Sequence, residues 1–374
     1  MESTMRGPRY PAARITAERI YPRFQKLQHD GVTLPDIDEM ERLIDAAFWA
    51  SLRREENYLT KISLAFVSPE SVRASLSFEN GIDLTADALA HLAPAADRPG
   101  IHMGVWHDNG ELRVWGATRV IPAHCFVLEV ITPGLLVLKY RRADASAKFV
   151  NVAVLEGDTV KVLDGAAPSV PGCPNLVTAL LGFEGGRAPE STSVLVELAV
   201  SMRSHQRGGT LLVVPASSDD WRHSIRQPIQ YSVSPKFEYL ADLLAEPAPA
   251  HEERRWQDSF RRTIEAIAGL TAVDGATVIT DRFEVLAFGA KINRRDGHPS
   301  VESVLLTEPV EGFQKAVLPT LQTGGTRHIS AVQFAHDQPD SMAMVASQDG
   351  RFTIFAWSDC DAMVRAHRVE TLLL

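Results

Sequence analysis

Apolar residues recur along this chain in two rhythms, and the change from one to the other divides it. After Asp36, the residues Ile37, Met40, Leu43, Ile44, Ala47, Phe48 and Leu52 fall on one helical face, with Asp36 placed to cap its start. From Lys61 the apolar positions come in short runs bounded by turn residues. Residues 62–67 read as a strand ending before Pro69, and 101–106 and 112–115 as a hairpin about Asp108-Asn109-Gly110. Runs at 126–130, 135–140, 149–155 and 159–163 continue the series, parted by Pro133-Gly134 and Glu156-Gly157-Asp158. This predicts a mostly antiparallel β module behind a leading helix. Ahead of it, Pro8, Pro11, Pro22 and Pro35 mark residues 1–35 as an irregular arm.

The second half mixes the two rhythms. Residues 164–189 are rich in Pro, Gly and Ala and read as a boundary. A helix over 191–203 presents Val194, Leu195, Leu198 and Met202 on one side, and Gly208-Gly209 ends it before a buried strand at 210–214. Helices follow at 237–244 and 256–270. The second of these carries a stripe of Trp256, Phe260, Ile264 and Ile267, with Gly269 where a C-terminal cap belongs. Hairpins are predicted at 273–280 with 283–288, about Asp281-Arg282, and at 341–347 with 351–357, about Gln348-Asp349-Gly350. A further helix begins near Arg327. Alternating strands and helices make this half a layered α/β domain, so the chain is α/β in part and α+β overall.

Composition narrows the options. The 374 residues fit two domains, and 45% hydrophobic with 23% charged residues is ordinary globular usage. A net charge of −9 argues against a nucleic acid polymer as partner, since neutralising its phosphates needs a basic surface. Cys125, Cys173 and Cys360 are scattered and form no CxxC pair, which makes a reducing cytoplasmic setting the expectation. No apolar run approaches the ~20 residues of a membrane span, and the first fourteen residues lack the apolar core of a secretory signal.

Three short constellations carry chemistry. In Gly324-Gly325-Thr326-Arg327-His328 the glycines allow close backbone approach, and Thr326 is placed as an N-cap. The helix start then offers free N–H groups to an anion. Arg327 adds a fork suited to phosphate, and His328 a donor or metal ligand. A plain Gly-Gly turn with a surface Arg and His remains open at this point. Asp274 opens an apolar strand, with Gly275 and Ala276 keeping space beside it. It could accept a hydroxyl proton or hold a metal, or serve only as a turn-forming Asp-Gly. The same tripeptide at Asp164-Gly165-Ala166 shows that it is not diagnostic by itself. At the tip of the last hairpin, Ser347 and Asp349 could hold a divalent ion beside a triphosphate.

Taken in order, Asp274-Gly275-Ala276, Gly325-Thr326-Arg327-His328 and Ser347-Gln348-Asp349 resemble the diadenylate cyclase domain, over roughly residues 194–357. The resemblance implies a mixed β-sheet flanked by helices with ATP at its edge. It also implies a homo-oligomer with catalytic domains face to face, in which each ribose 3′-hydroxyl attacks the other ATP's α-phosphate to give cyclic di-AMP. On this reading Asp274, Arg327 and His328 are catalytic. Gly275, Ala276, Gly324, Gly325, Thr326 and Ser347 bind nucleotide, and Asp274, His328 and Asp349 hold Mg2+ or Mn2+. Residues 176–374 would be the cyclase-like domain and 36–175 a sensor or regulatory domain. Two positions depart from the family: Ile329 stands where it has a second Arg, and Gln348 where it has the first Glu of Ser-Glu-Glu. The second reading is therefore a catalytically silent nucleotide sensor, and the third a domain that only dimerises. Lys291, Arg294 and Arg295 are candidates to replace the missing cation. In the first half, Arg53, Arg54, Glu55 and Glu56 read as a solvated face, and Trp49, Trp106 and Trp115 as core or interface aromatics. His102, His107, His124 and Cys125 match no standard zinc spacing.

Overall fold

A computed structural model describes residues 9–27, 32–98, 100–141, 143, 149–163, 190–247 and 254–374. The expected boundary at 164–189, with its Asp164-Gly165-Ala166 and Cys173, lies outside the described residues. By internal contacts the chain divides into two units, Met1–Asp164 with Leu374, and Gly165–Leu373.

The first unit begins with helices α1 (Pro11–Leu27) and α2 (Ile37–Ser51). A two-stranded ribbon of β1 (Arg54–Glu55) and β2 (Tyr58–Leu59) leads to β3 (Ile62–Phe66), β4 (Ser75–Asp83) and helix α3 (Ala86–Ala96). The strands β5 (His102–Asp108), β6 (Glu111–Thr118), β7 (Phe126–Thr132), β8 (Leu135–Arg141), β9 (Phe149–Glu156) and β10 (Thr159–Val162) follow. They form one eight-stranded sheet in the order β10-β9-β8-β7-β3-β5-β6-β4, antiparallel except for β3 beside β5. Ile20 and Phe24 of α1, Leu43 and Ile44 of α2, and Leu89 of α3 are buried in one core with Leu64, Phe66, Leu128 and Leu138 of the sheet. Asp36 caps α2 as expected: its carboxylate accepts from Glu39 N–H, while the Glu39 side chain accepts from Asp36 N–H.

Residues 11–27 are not the irregular arm that four prolines predict. Pro11 is the first helical residue, where a missing N–H costs nothing, and the burial of Ala13, Ala17, Ile20 and Phe24 at helical spacing outweighs the broken bond at Pro22. Among the described residues, the first unit's histidines find other partners. His102 Nδ1 lies 2.8 Å from Ser63 Oγ, and His107 pairs with Glu39 at 3.0 Å. The Cys125 thiol is pushed up to about 12 by burial.

In the second unit, β11 (Gly209–Val214), β12 (Tyr231–Phe237), β13 (Ala276–Thr280), β14 (Val285–Ala290), β15 (Ser303–Thr307), β16 (Ala316–Pro319), β17 (Met342–Ala346), β18 (Phe352–Ser358) and β19 (Met363–Arg368) build a nine-stranded sheet. Its order is β12-β14-β13-β11-β17-β18-β19-β15-β16, with β11–β13 and β15–β19 parallel and the other pairs antiparallel. Helices α4 (Glu190–Ser204), α5 (Tyr239–Ala245) and α6 (Arg254–Leu270) bury Leu198, Leu240 and Ile264 with Leu211, Ile279 and Met344. Helix α7 (Thr326–Asp337) buries Ala331, Val332, Phe334 and Ala335 with Leu212, Val278, Val345 and Phe355. Those strand residues alternate with the first set, so the two cores lie on opposite faces of the sheet. The unit is the mixed sheet flanked by helices that the resemblance implied. Among the described residues no helix is long and apolar enough to cross a membrane.

Candidate functional site

Four strands meet at one end of the second unit's sheet. Thr210 on β11 pairs with Ala276 at the start of β13, Ala276 pairs with Ala290 at the end of β14, and Gly209 faces Ala346 at the end of β17. Helix α7 starts beside them. The cavity between them is about 580 Å³, a size suited to one small-molecule ligand. Its walls include Asp274, Gly275 and Ala276 from one motif, Gly325, Thr326, Arg327 and His328 from another, and Ser347 from the third. Three stretches spread over more than seventy residues of chain thus share one space.

Glycines make the close approaches possible. Gly275 has φ +123°, and a Cβ there would stand 2.4 Å from the carbonyl carbon of Gly289. Gly208 has φ +68°, and a Cβ on it would lie 2.7 Å from Arg327 Nη1, so Gly208 is the seat of the arginine. Gly324 lies against the His328 ring, with a would-be Cβ 2.6 Å from its Nδ1, and does not line the cavity. The N-cap of α7 is Gly325, one residue before the expected Thr326, and no side chain caps it. The His328 N–H donates to the Gly325 carbonyl at 3.0 Å, which leaves those of Thr326 and Arg327 to a ligand instead of to a threonine hydroxyl.

The charges are arranged for an anion. Lys291 Nζ lies 2.6 Å from Asp274 Oδ2 and donates to the Asp274 carbonyl at 3.0 Å. This hydrogen bond and charge, with a smaller contribution from Arg327, hold the Asp274 carboxyl below the usual carboxylate range. Asp274 is therefore an exposed carboxylate facing two cations, Lys291 and Arg327. His328 is different from its expected role. It is 5% exposed and lies edge-on to Phe355 at 5.9 Å, and burial lowers its pKa, so the ring is neutral.

The three expected metal ligands do not converge. Asp349 is absent from the cavity wall; its carboxylate turns back to accept from Arg351 N–H at 3.3 Å. Asp274, His328 and Asp349 form no cluster, whereas the one His/Asp group that does meet among the described residues is elsewhere. Asp274 alone offers a carboxylate to a cation at the cavity. One carboxylate together with phosphate oxygens is a donor set that suits Mg2+. Lys291 already occupies that cationic position.

The two departures from the family pattern fall outside this wall. Neither Ile329 nor Gln348 lines the cavity, and Gln348 Nε2 donates to Arg207 O at 3.4 Å. Thr210, Lys291, Ile292 and Ser330 do line it. Only Lys291 among these carried a sequence signal, as a cation after the Asp274 hairpin.

Residues 29–119 match the family model described as "Probable sensor domain DACNV". No curated protein matches the chain. Among solved structures, the chain is similar to a double mutant of DacA from Staphylococcus aureus, at 12% identity and TM-score 0.26, covering 47% of this chain and 85% of that one. It is also similar to a hypothetical membrane spanning protein from Bacillus cereus, at 13% identity and TM-score 0.28, covering 51% of this chain and 69% of that one. The sensor-domain likeness lies within the first unit, and the chemistry of the cavity in the second stands on its own residues.

Proposed function

We propose that the second unit is a nucleotidyltransferase that condenses two ATP molecules into cyclic di-AMP, and that the first unit is its regulatory module. The observation that carries this reading is that Asp274 and Arg327, 53 positions apart in the chain, line one cavity. The start of α7, Arg327 and Lys291 offer fixed positive charge to a triphosphate, stabilisation that needs no reorganisation during reaction. Asp274, ionised and below the usual carboxylate range, is a weak proton acceptor. Its role is to place positive charge beside the reacting phosphate, through Lys291 or a bound Mg2+ or Mn2+. When bound, that ion neutralises phosphate charge and acidifies the attacking hydroxyl.

A cavity of about 580 Å³ suits one nucleotide. The second ATP is then presented by another copy of the chain, face to face. In each half-reaction the ribose 3′-oxygen bonds to the α-phosphorus, the bond to pyrophosphate breaks, and the hydroxyl proton passes to solvent. Two such steps close the ring and release two pyrophosphates. The purified chain incubated with ATP and Mn2+ or Mg2+ should yield cyclic di-AMP by mass spectrometry, and Asp274→Asn should abolish it with the fold intact. Unchanged turnover in that variant removes the assignment.

The second reading is a nucleotide sensor without turnover, motivated by Ile329 and Gln348. Because neither side chain lines the cavity, this reading is the weaker one. ATP binding by calorimetry with no product after long incubation would select it.

A further inference from the structure

Away from the cavity, one group of metal-ligating side chains meets among the described residues. His298 comes from the segment between β14 and β15, and His336 and Asp337 are the last two residues of α7. Their donor atoms lie within 4.8 Å of one another. His298 Nδ1 is 3.1 Å and His336 Nδ1 2.9 Å from Asp337 Oδ1. The two rings meet edge to face, 6.1 Å between centroids. Gln333 Nε2 also donates to Oδ1, at 2.9 Å, and Arg295 N–H donates to Oδ2, at 2.9 Å.

The Asp337 carboxylate is the centre of this cluster. The Asp337 side chain is 0% exposed, yet both of the ion pairs that the described residues make with it are to imidazoles. A carboxylate so deeply buried is held by close pairing or by a metal ion. Three donors also crowd Oδ1 while Oδ2 receives one. A divalent cation seated among the two Nδ1 atoms and Oδ1 relieves that crowding.

We propose that His298, His336 and Asp337 form a site for a divalent transition metal of the Zn2+ type. Two imidazole nitrogens and one carboxylate oxygen suit such an ion, and the partial exposure of both rings leaves a further position to water. Gln333 and Arg295 N–H fix the carboxylate from behind. The ion staples the segment after β14 to the far end of α7. That segment begins with Lys291 and Ile292, and α7 begins with Thr326, Arg327 and His328, all on the cavity wall. The metal thus holds two walls in register without entering the cavity.

The test uses the full chain, stripped with chelator and titrated without nucleotide with Co2+, then Zn2+. One equivalent of Co2+ should bind with a visible spectrum of nitrogen coordination and be displaced by Zn2+. Zn2+ should raise the thermal midpoint of the wild type. His298→Ala, a change at a partly exposed ring, should weaken binding by more than about tenfold and remove the thermal shift. Asp274→Asn should retain both, which separates this site from any cation at the cavity. No Co2+ binding at micromolar concentration, or equal binding by a folded His298→Ala, overturns the proposal and leaves Asp337 as a hydrogen-bonded anchor for two rings.

Discussion

Gly275 shows what one residue decides. Its φ of +123° disfavours any side chain, and the Gly289 backbone occupies the space where a Cβ would stand. Gly275→Ala should cost about 3 kcal/mol through backbone strain and overpacking. The change is read as a lower urea midpoint for the second unit; an unchanged midpoint would show that the β13–β14 contact is slack. The sequence marked Gly275 as a residue that keeps space open. It did not mark Gly289, which meets it across the hairpin, and it read Gly208 only as the end of a helix, where its missing side chain seats Arg327. Such contacts lie between residues far apart in sequence, where no local pattern reports them. His328 illustrates the same limit: its position beside Arg327 suggested a ligand, and only packing against Gly324 and Phe355 shows a buried, neutral ring.

Elements were legible wherever local chemistry and burial agreed. α2 begins at the expected residue because Asp36 and Glu39 satisfy each other's backbone donors. Asp36→Ala should therefore lower the first unit's stability by about 1 kcal/mol, measured by denaturant unfolding followed in that unit. A null result would mean that tertiary packing alone fixes the start of α2. The hairpins about Asp108-Asn109-Gly110 and Gln348-Asp349-Gly350 formed as read, with strands ending within two or three residues of expectation. α1 was missed because its prolines spoke louder than its apolar spacing. Strands β4, β15, β16 and β19 and helix α3 carried no clear signal of their own. β15 and β19 exist as neighbours in a parallel pair, and a pairing over so long a separation leaves little trace in either segment.

Each of the two units stores a histidine that folding keeps neutral. Burial lowers His102 to about 4 in the first and His367 to about 3 in the second. An unfolded chain protonates both as pH falls through about 6.5, while the folded units do so only near the lower values. The folded state binds fewer protons over that window, so both units should lose stability as pH drops below about 6.5. For His102 the loss would be complete near pH 4 and would amount to about 3 kcal/mol. Urea unfolding at pH 7.5, 6 and 5 measures it, and His102→Asn should flatten the first unit's dependence; a wild type with the same stability at pH 7.5 and 5 would contradict the assignment. The sequence by itself determined the rhythm of helices and strands, the capped start of α2, the layered α/β character of the second half, and three motifs, one with anion-binding chemistry and two with carboxylates suited to a cation. These follow from spacing and from short-range hydrogen bonding, which a local stretch of chain contains in full. Only the tertiary structure decided that those motifs share a cavity, that Asp349 turns away from it, that Lys291 closes on Asp274, and that His298 meets His336 and Asp337. Each of these depends on which strands become neighbours, and burial of the whole sheet selects that pairing, which no single segment encodes.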